Sequence, residues 1–68
     1  MESEDFGQMS NLLNIKQVAE LLNMSERTIY EYVADQKIPY VKIGKAVRFD
    51  PDKIENWVRL RTVNAKAF

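Results

Sequence analysis

Hydrogen-bond donors are concentrated in one short segment near the middle of this 68-residue chain. Arg27, Thr28 and Tyr30 lie close together in a stretch with helical spacing, and each side chain can donate to an acceptor outside the protein. The guanidinium of Arg27 suits planar acceptors and phosphate, and a hydroxyl suits phosphate oxygens. These residue types favour contact with a polyanion rather than chemistry on a bound substrate.

A group of cations follows directly along the chain. Residues 36 to 48 contain four bases and no acid, a net charge of +4, although the whole chain is neutral with ten bases and ten acids. Residues 1 to 5 carry −3, so the positive field is local. A solvated hairpin kept soluble by its lysines would have the same composition, and that interpretation stays open here. The four bases are Lys37, Lys42, Lys45 and Arg48.

Composition argues against catalysis and metal binding. The chain has neither histidine nor cysteine, so it lacks the commonest catalytic base and cannot form a disulfide or a zinc–thiolate site. Its two glycines, Gly7 and Gly44, cannot build a glycine-rich phosphate loop. The acids are spread singly, and a chain this short cannot enclose a deep substrate cavity. We therefore expect no enzyme activity, no cofactor and no metal.

Hydropathy predicts a cytoplasmic protein. No apolar run approaches the roughly 20 residues that span a bilayer, and the acidic N-terminus does not resemble a secretory signal.

Two short helices are predicted before the basic segment. Residues 15 to 22 have one apolar helical face, with Asn14 as N-cap and a glutamine three residues later that completes a capping box. Ser25 caps a second helix, which we expect over residues 25 to 36 because Pro39 cannot continue it. The pair forms a helix-turn-helix unit. The outward side chains of the second helix are expected to be Arg27, Thr28, Tyr30 and Glu31.

Residues 40 to 49 alternate with the two-residue period of strands and turn at Gly44. A two-residue loop would mix apolar and charged side chains on each face. A three-residue loop, residues 44 to 46, makes one face apolar and the other basic, so we expect this register. The expected pairs are Val41 with Phe49, Lys42 with Arg48, and Ile43 with Val47.

A third helix is predicted to close the domain. Asp50 and Pro51 are a strong helix start, and Trp57 is the large aromatic expected to unite a small core. The domain organisation we expect is a disordered acidic tail over residues 1 to 11, one domain over 12 to 61, and a C-terminal tail over 62 to 68.

These elements in this order resemble the excisionase-like, MerR-type winged helix-turn-helix family. The resemblance covers residues 12 to 58 and rests on "VAELLNMSERTIY", "KIPYVKIGKAVRF" and "DPDKIENWV". It implies a mainly α fold with a small β-hairpin wing. It also implies that the second helix enters the major groove of DNA while the wing contacts the backbone or minor groove. The matching positions are Ser25, Arg27, Thr28 and Tyr30 on the helix and Lys42, Gly44, Lys45 and Arg48 on the wing, and our predicted DNA-binding set adds Glu31 and Lys37.

Glu31 departs from the family pattern, which often has a base at this position. A carboxylate can accept a hydrogen bond from the N4 amine of cytosine, which would sharpen selectivity, or it can repel a phosphate, which would weaken binding. Both interpretations follow from the sequence.

The function we expect is sequence-selective binding of double-stranded DNA by a small non-enzymatic protein. The resemblance implies an excisionase-like recombination directionality factor or a small transcriptional regulator. The expected partners are DNA and an integrase, recombinase or RNA polymerase, with cooperative self-association on DNA and no membrane. The alternative is a protein-interaction adaptor that keeps the fold without binding DNA, which Glu31 and the acidic N-terminus slightly favour.

Overall fold

The computed structural model of the protein describes residues 11 to 64, and it has three helices and one antiparallel hairpin there. This confirms the predicted mainly α, winged helix-turn-helix architecture. The tail predicted for residues 1 to 11, except Asn11, and the last four residues of the C-terminal tail lie outside the described part. No helix within 11 to 64 is long and apolar enough to cross a membrane. The elements are α1 (Ile15–Leu22), α2 (Glu26–Ala34), β1 (Val41–Ile43), β2 (Ala46–Arg48) and α3 (Pro51–Leu60).

Helix α1 has the bounds that the sequence predicts. The Asn14 side chain accepts from the Gln17 amide at 2.8 Å, and the Gln17 side chain accepts from the Asn14 amide at 2.9 Å. This closed capping box satisfies two backbone donors at the start of the helix. Ile15, Val18 and Ala19 are buried, which confirms the predicted apolar face.

Helix α2 ends two residues earlier than predicted. Gln36 has a left-handed backbone with φ 56°, and its amide donates to the Val33 carbonyl at 3.0 Å. The Lys37 amide then donates to the Tyr32 carbonyl at 2.8 Å. These two bonds form a Schellman motif, which satisfies the last carbonyls and ends the helix at Ala34, well before the proline that we expected to stop it.

The predicted three-residue loop in the wing is wrong. The structure has a two-residue Gly44-Lys45 turn, and Gly44 has a φ of +60°. A positive φ at the first central position followed by an ordinary residue is the pattern of a type II′ turn, whose twist suits a hairpin. The observed pairs are Val41 with Arg48, Lys42 with Val47, and Ile43 with Ala46.

The expected apolar and basic faces of the wing are wrong for the same reason. Ile43 and Val41 lie on an outward face, where Ile43 is 54% exposed, while Lys42 shares its face with Val47. The core contacts the wing at its base, through Tyr40, Val47 and Phe49. Turn geometry therefore sets the register, and the strand tip lies beyond the core.

Phe49 lies at the centre of the core. Its side chain is fully buried, and its backbone exchanges two hydrogen bonds of 2.8 Å with Leu13 in an isolated antiparallel bridge. This bridge holds the segment before α1 against the end of the wing. Within residues 11 to 64 no polar or charged residue is buried. The buried core consists of Ile15, Val18, Ala19, Ile29, Ile38, Phe49 and Ile54.

Helix α3 begins as the sequence predicts. The Asp50 side chain accepts from the Asp52 amide at 2.9 Å, and Pro51 is the first helical residue. Ile54 is buried, whereas Trp57 is only half-buried and packs at the edge of the core. The central aromatic of the core is therefore Phe49 rather than Trp57.

The left-handed residue at the end of α2 gives a stability prediction. Gln36 has a side chain in a conformation that favours glycine, so Gln36→Gly is expected to raise the free energy of unfolding by about 0.5–1 kcal/mol. Asn23 has the same φ of 56° after α1, but asparagine tolerates it, so Asn23→Gly is expected to have a smaller effect. Urea unfolding measures both. A Gln36→Gly midpoint at or below that of the wild type would show that this backbone is not strained.

Candidate nucleic-acid interface

Ser25 and Thr28 form the N-terminal cap of α2. The Thr28 amide donates to the Ser25 hydroxyl at 3.1 Å, and the two hydroxyl oxygens lie 2.9 Å apart. The cap satisfies one of the unpaired donors of the first turn and fixes where the helix begins. Both predicted site residues thus have a structural role, although Ser25 is also exposed to solvent.

Arg27 and Glu31 share the outward face of α2. The guanidinium Nε lies 3.5 Å from a carboxylate oxygen of Glu31, one helical turn away, and the two side chains are 88% and 60% exposed. An ion pair this exposed adds little stability because water screens it. Its main consequence is positional: Glu31 lies beside Arg27, the arginine in the first turn of this helix.

A groove separates α2 from the wing, and we call it the wing groove. Tyr30 projects from α2 on one side, and Lys45 and Arg48 come from the hairpin on the other. Among residues 11 to 64, three cations face this groove against one acid, Glu26, so these side chains make a positive field. The residues that line it are Asn14, Ile15, Lys16, Glu26, Tyr30, Lys45, Val47 and Arg48.

The wing residues differ in how freely they project. One guanidinium nitrogen of Arg48 donates to the Val47 carbonyl at 2.8 Å, so the half-buried arginine is held against the hairpin. Lys45 is exposed at the turn, and the space around Gly44 is open, with nothing within 4 Å of an added Cβ. Lys42 is exposed but does not line the wing groove.

Lys37 lies in a different place from the other predicted site residues. It borders a cleft on the far side of α2, which we call the tryptophan cleft. Residues two positions apart on a helix project about 200° apart, so Tyr30 and Tyr32 point to opposite sides of α2. The tryptophan cleft is lined by Tyr32, Gln36, Lys37, Ile38, Pro39, Trp57 and Arg61.

The sequence analysis missed two cations next to α2. Lys16 lines the wing groove and Arg61 lines the tryptophan cleft, at opposite ends of the described chain. The helical period places Lys16 opposite the buried face of α1, which indicates exposure. The period gives no information about the wing across the groove, because the Leu13–Phe49 bridge that brings them together joins residues distant in sequence.

Within residues 11 to 64, no group of three or more carboxylates stands close enough together to hold a metal ion. The grooves on the two sides of α2 instead contain more cations than acids among these residues.

Comparison with known proteins agrees with this arrangement. A family model described as a helix-turn-helix domain matches residues 12–61. That family consists of excisionase-like DNA-binding domains, which confirms the family resemblance seen in the sequence. Neither the comparison with curated proteins nor the comparison with solved structures gave a match.

Two substitutions at Ser25 separate its capping role from a role in binding. Ser25→Ala removes the cap and is expected to lower the free energy of unfolding by about 1 kcal/mol. Ser25→Asp keeps a good cap and is expected to leave stability within about 0.5 kcal/mol, while its charge weakens binding to a short DNA duplex. Thermal unfolding and a duplex titration measure the two effects. Unchanged duplex affinity in Ser25→Asp would place Ser25 outside the interface.

Proposed function

Because the chain belongs to the helix-turn-helix domain family, we propose that it binds double-stranded DNA with α2 in the major groove and the wing on the backbone. The observation that carries this proposal is the wing groove, where Lys16, Lys45 and Arg48 converge beside Tyr30. Lysine and arginine next to a tyrosine hydroxyl form a set of donors that suits phosphate oxygens.

The dimensions and exposure of α2 support its place in the groove. An α-helix with side chains is about 10–12 Å wide, close to the roughly 12 Å width of the major groove. Its core side holds Ile29, while Arg27, Tyr30 and Glu31 are exposed on the opposite side. Arg27 is the residue we assign to a base edge, since a guanidinium makes the commonest specific contact with guanine.

Glu31 has a definite role in this proposal. The carboxylate holds the Arg27 guanidinium 3.5 Å away and offsets its charge, so Arg27 gains less from a phosphate and depends more on a well-placed base acceptor. Glu31 would therefore lower general affinity and raise selectivity. Ser25 and Thr28 help to position Arg27 in this proposal, because their cap fixes the start of the helix.

The wing supplies most of the remaining contacts in the proposal. Lys45 and Arg48 meet the backbone from the groove side, Lys42 lies near the same backbone, and Gly44 lets the turn approach closely because it has no side chain. Lysine contacts at these positions act as point charges and carry little sequence information. Selectivity is therefore assigned to α2 and affinity mainly to the wing.

The biological role that we propose follows from the excisionase-like family. Such domains are typically non-enzymatic, and this one would act as a recombination directionality factor or as a small transcriptional regulator in the cytoplasm. An integrase or recombinase, or RNA polymerase, would be its protein partner in each case. Cooperative binding to repeated sites would compensate for the small footprint of a single copy.

A second candidate function is supported by an apolar surface. Leu21 and Val58 are exposed beside Ile54 in a groove between α1 and α3. An adaptor that keeps the fold without binding DNA would use such a surface. Leu21→Ala should then abolish partner binding, whereas it should leave duplex binding unchanged if the main proposal is right.

The salt dependence of duplex binding tests the main proposal. Lys45→Ala removes one phosphate contact. The negative slope of log K against log salt is therefore expected to become less steep by about one unit. Arg59→Ala is the matched control, since Arg59 is exposed beside Glu55 and lines neither the wing groove nor the tryptophan cleft. If the two variants have equal salt slopes, the wing groove does not contact DNA. The absence of any gel shift at low salt, on duplexes selected from a random pool, would sink the proposal.

Substitution of Glu31 tests the selectivity argument. Glu31→Gln releases Arg27 and is expected to raise affinity for unrelated duplexes several-fold while affinity for the selected duplex changes less. Glu20→Gln removes the same charge from the exposed side of α1, outside the wing groove, and serves as the control. Binding competition between selected and random duplexes measures the ratio. An unchanged ratio in Glu31→Gln would mean that Glu31 has no part in selectivity.

A further inference from the structure

Arg61 is held in place at the end of α3 by contacts with Trp57. Its guanidinium carbon lies 4.3 Å from the centroid of the Trp57 ring, and one of its nitrogens donates to the Trp57 carbonyl at 3.3 Å. Within residues 11 to 64 no carboxylate lies within ion-pair distance of Arg61. Arg59 on the same helix differs, because it bonds Glu55 at 3.2 Å.

The support under Arg61 is fixed on several sides. The Trp57 indole N–H donates to the Lys37 carbonyl at 2.8 Å, which ties α3 to the segment that follows α2. The Tyr32 ring packs against Trp57 with a centroid distance of 6.0 Å. A guanidinium on such a platform loses less side-chain freedom when it binds an anion than a solvated one does.

The surroundings of Arg61 favour an anion. Lys37 lines the same tryptophan cleft, and none of the lining residues in the described part of the chain is acidic. The guanidinium has five N–H donors, of which the Trp57 carbonyl takes one. The remaining donors form an arrangement that suits phosphate oxygens.

The cleft also has the right position relative to α2. It lies on the side of Tyr32, while the wing groove lies on the side of Tyr30, so cations flank α2 on two opposite sides. A helix in the major groove lies between two phosphate backbones, one on each wall. The cations of the wing groove would contact the phosphate backbone on one wall of the major groove. The backbone on the other wall would still lack a contact.

We propose that Arg61, stacked on Trp57 and joined by Lys37, binds a backbone phosphate on the DNA strand opposite the one held by the wing groove. This proposal rests on the proposed function, since it assumes that α2 occupies the major groove. It gives the closing helix a binding role that neither the helix pair nor the wing supplies. It also gives Trp57 a function at its exposed edge beyond its packing against the core.

The experiment compares two arginines of one helix. Arg61→Ala is expected to lower the salt slope by about 0.9, and if counterion release is the only contribution, to weaken duplex binding roughly fifteenfold at 50 mM salt and roughly fourfold at 200 mM. Arg59→Ala removes the same charge next to Glu55 and is expected to leave both quantities within about twofold of the wild type, because Arg59 lines neither the wing groove nor the tryptophan cleft.

A second variant and a second measurement distinguish phosphate binding by Arg61 from a purely structural role at the end of α3. Lys37→Ala leaves intact the backbone carbonyl that Trp57 uses, so it is expected to lower the slope without changing thermal stability. Trp57 is the single tryptophan of the chain, so its fluorescence reports on this cleft. Duplex addition should change that fluorescence in wild-type protein and much less in Arg61→Ala.

The outcomes distinguish the two proposals. If Lys45→Ala lowers the slope while Arg61→Ala and Arg59→Ala bind alike, the protein binds DNA and the phosphate site at Arg61 is refuted. If the wild type binds no duplex, both proposals fail. A loss of thermal stability in Arg61→Ala together with an unchanged slope in Lys37→Ala would assign Arg61 to capping α3 and would also overturn the site.

Discussion

The two hydrogen bonds between Leu13 and Phe49 connect the parts of this protein that the local sequence cannot connect. The fully buried Phe49 side chain anchors the end of the wing in the core, and its backbone holds the chain just before α1. Asn14 and Lys16 follow that bridge within three residues, so α1 must begin beside the wing. The wing groove is a direct consequence, since its two sides are brought together by this pairing and by the packing of α2 against the same core.

The core that supports these elements is small and entirely apolar. Seven residues are buried, and within residues 11 to 64 no charged side chain is among them. None of the described cations around α2 is therefore buried, and no buried ion pair is needed among residues 11 to 64 to hold the fold. The cost is a thin margin of stability, because a domain of this size buries a modest share of its unfolded surface. Caps such as the Asn14–Gln17 box consequently contribute a large part of that margin.

Local signals in the sequence are sufficient for the helix starts and insufficient for the wing. Capping residues act within three positions of themselves, so Asn14, Ser25 and Asp50 marked the three helix starts correctly. The predicted wing register is wrong because the backbone preference of Gly44, rather than the hydrophobic alternation, sets the turn. Ile43 has the side chain of a core residue but lies where the core does not reach.

The end of α2 and the position of Arg61 beside it also could not be predicted from local sequence patterns. A Schellman motif with glutamine at the left-handed position has no glycine to mark it, so the helix stop could not be placed from residue types. The stacking of Arg61 on Trp57 has i, i+4 spacing, which a helical pattern does allow. The sequence does not show on which side of α2 this pair lies. That position follows from the hydrogen bond between the Trp57 indole and the Lys37 carbonyl.

A helix of nine residues, about 14 Å long, presents few side chains to the bases, so its orientation matters as much as its composition. Contacts to one backbone alone would leave α2 free to roll about them and would blur the position of Arg27. Contacts on both flanks would remove that rotation, because phosphates on opposite strands fix the register of a helix between them. On this view the neutral face of Arg27 and Glu31 is compatible with DNA binding: attraction comes from the flanking cations, and the paired arginine between them is left to discriminate among bases.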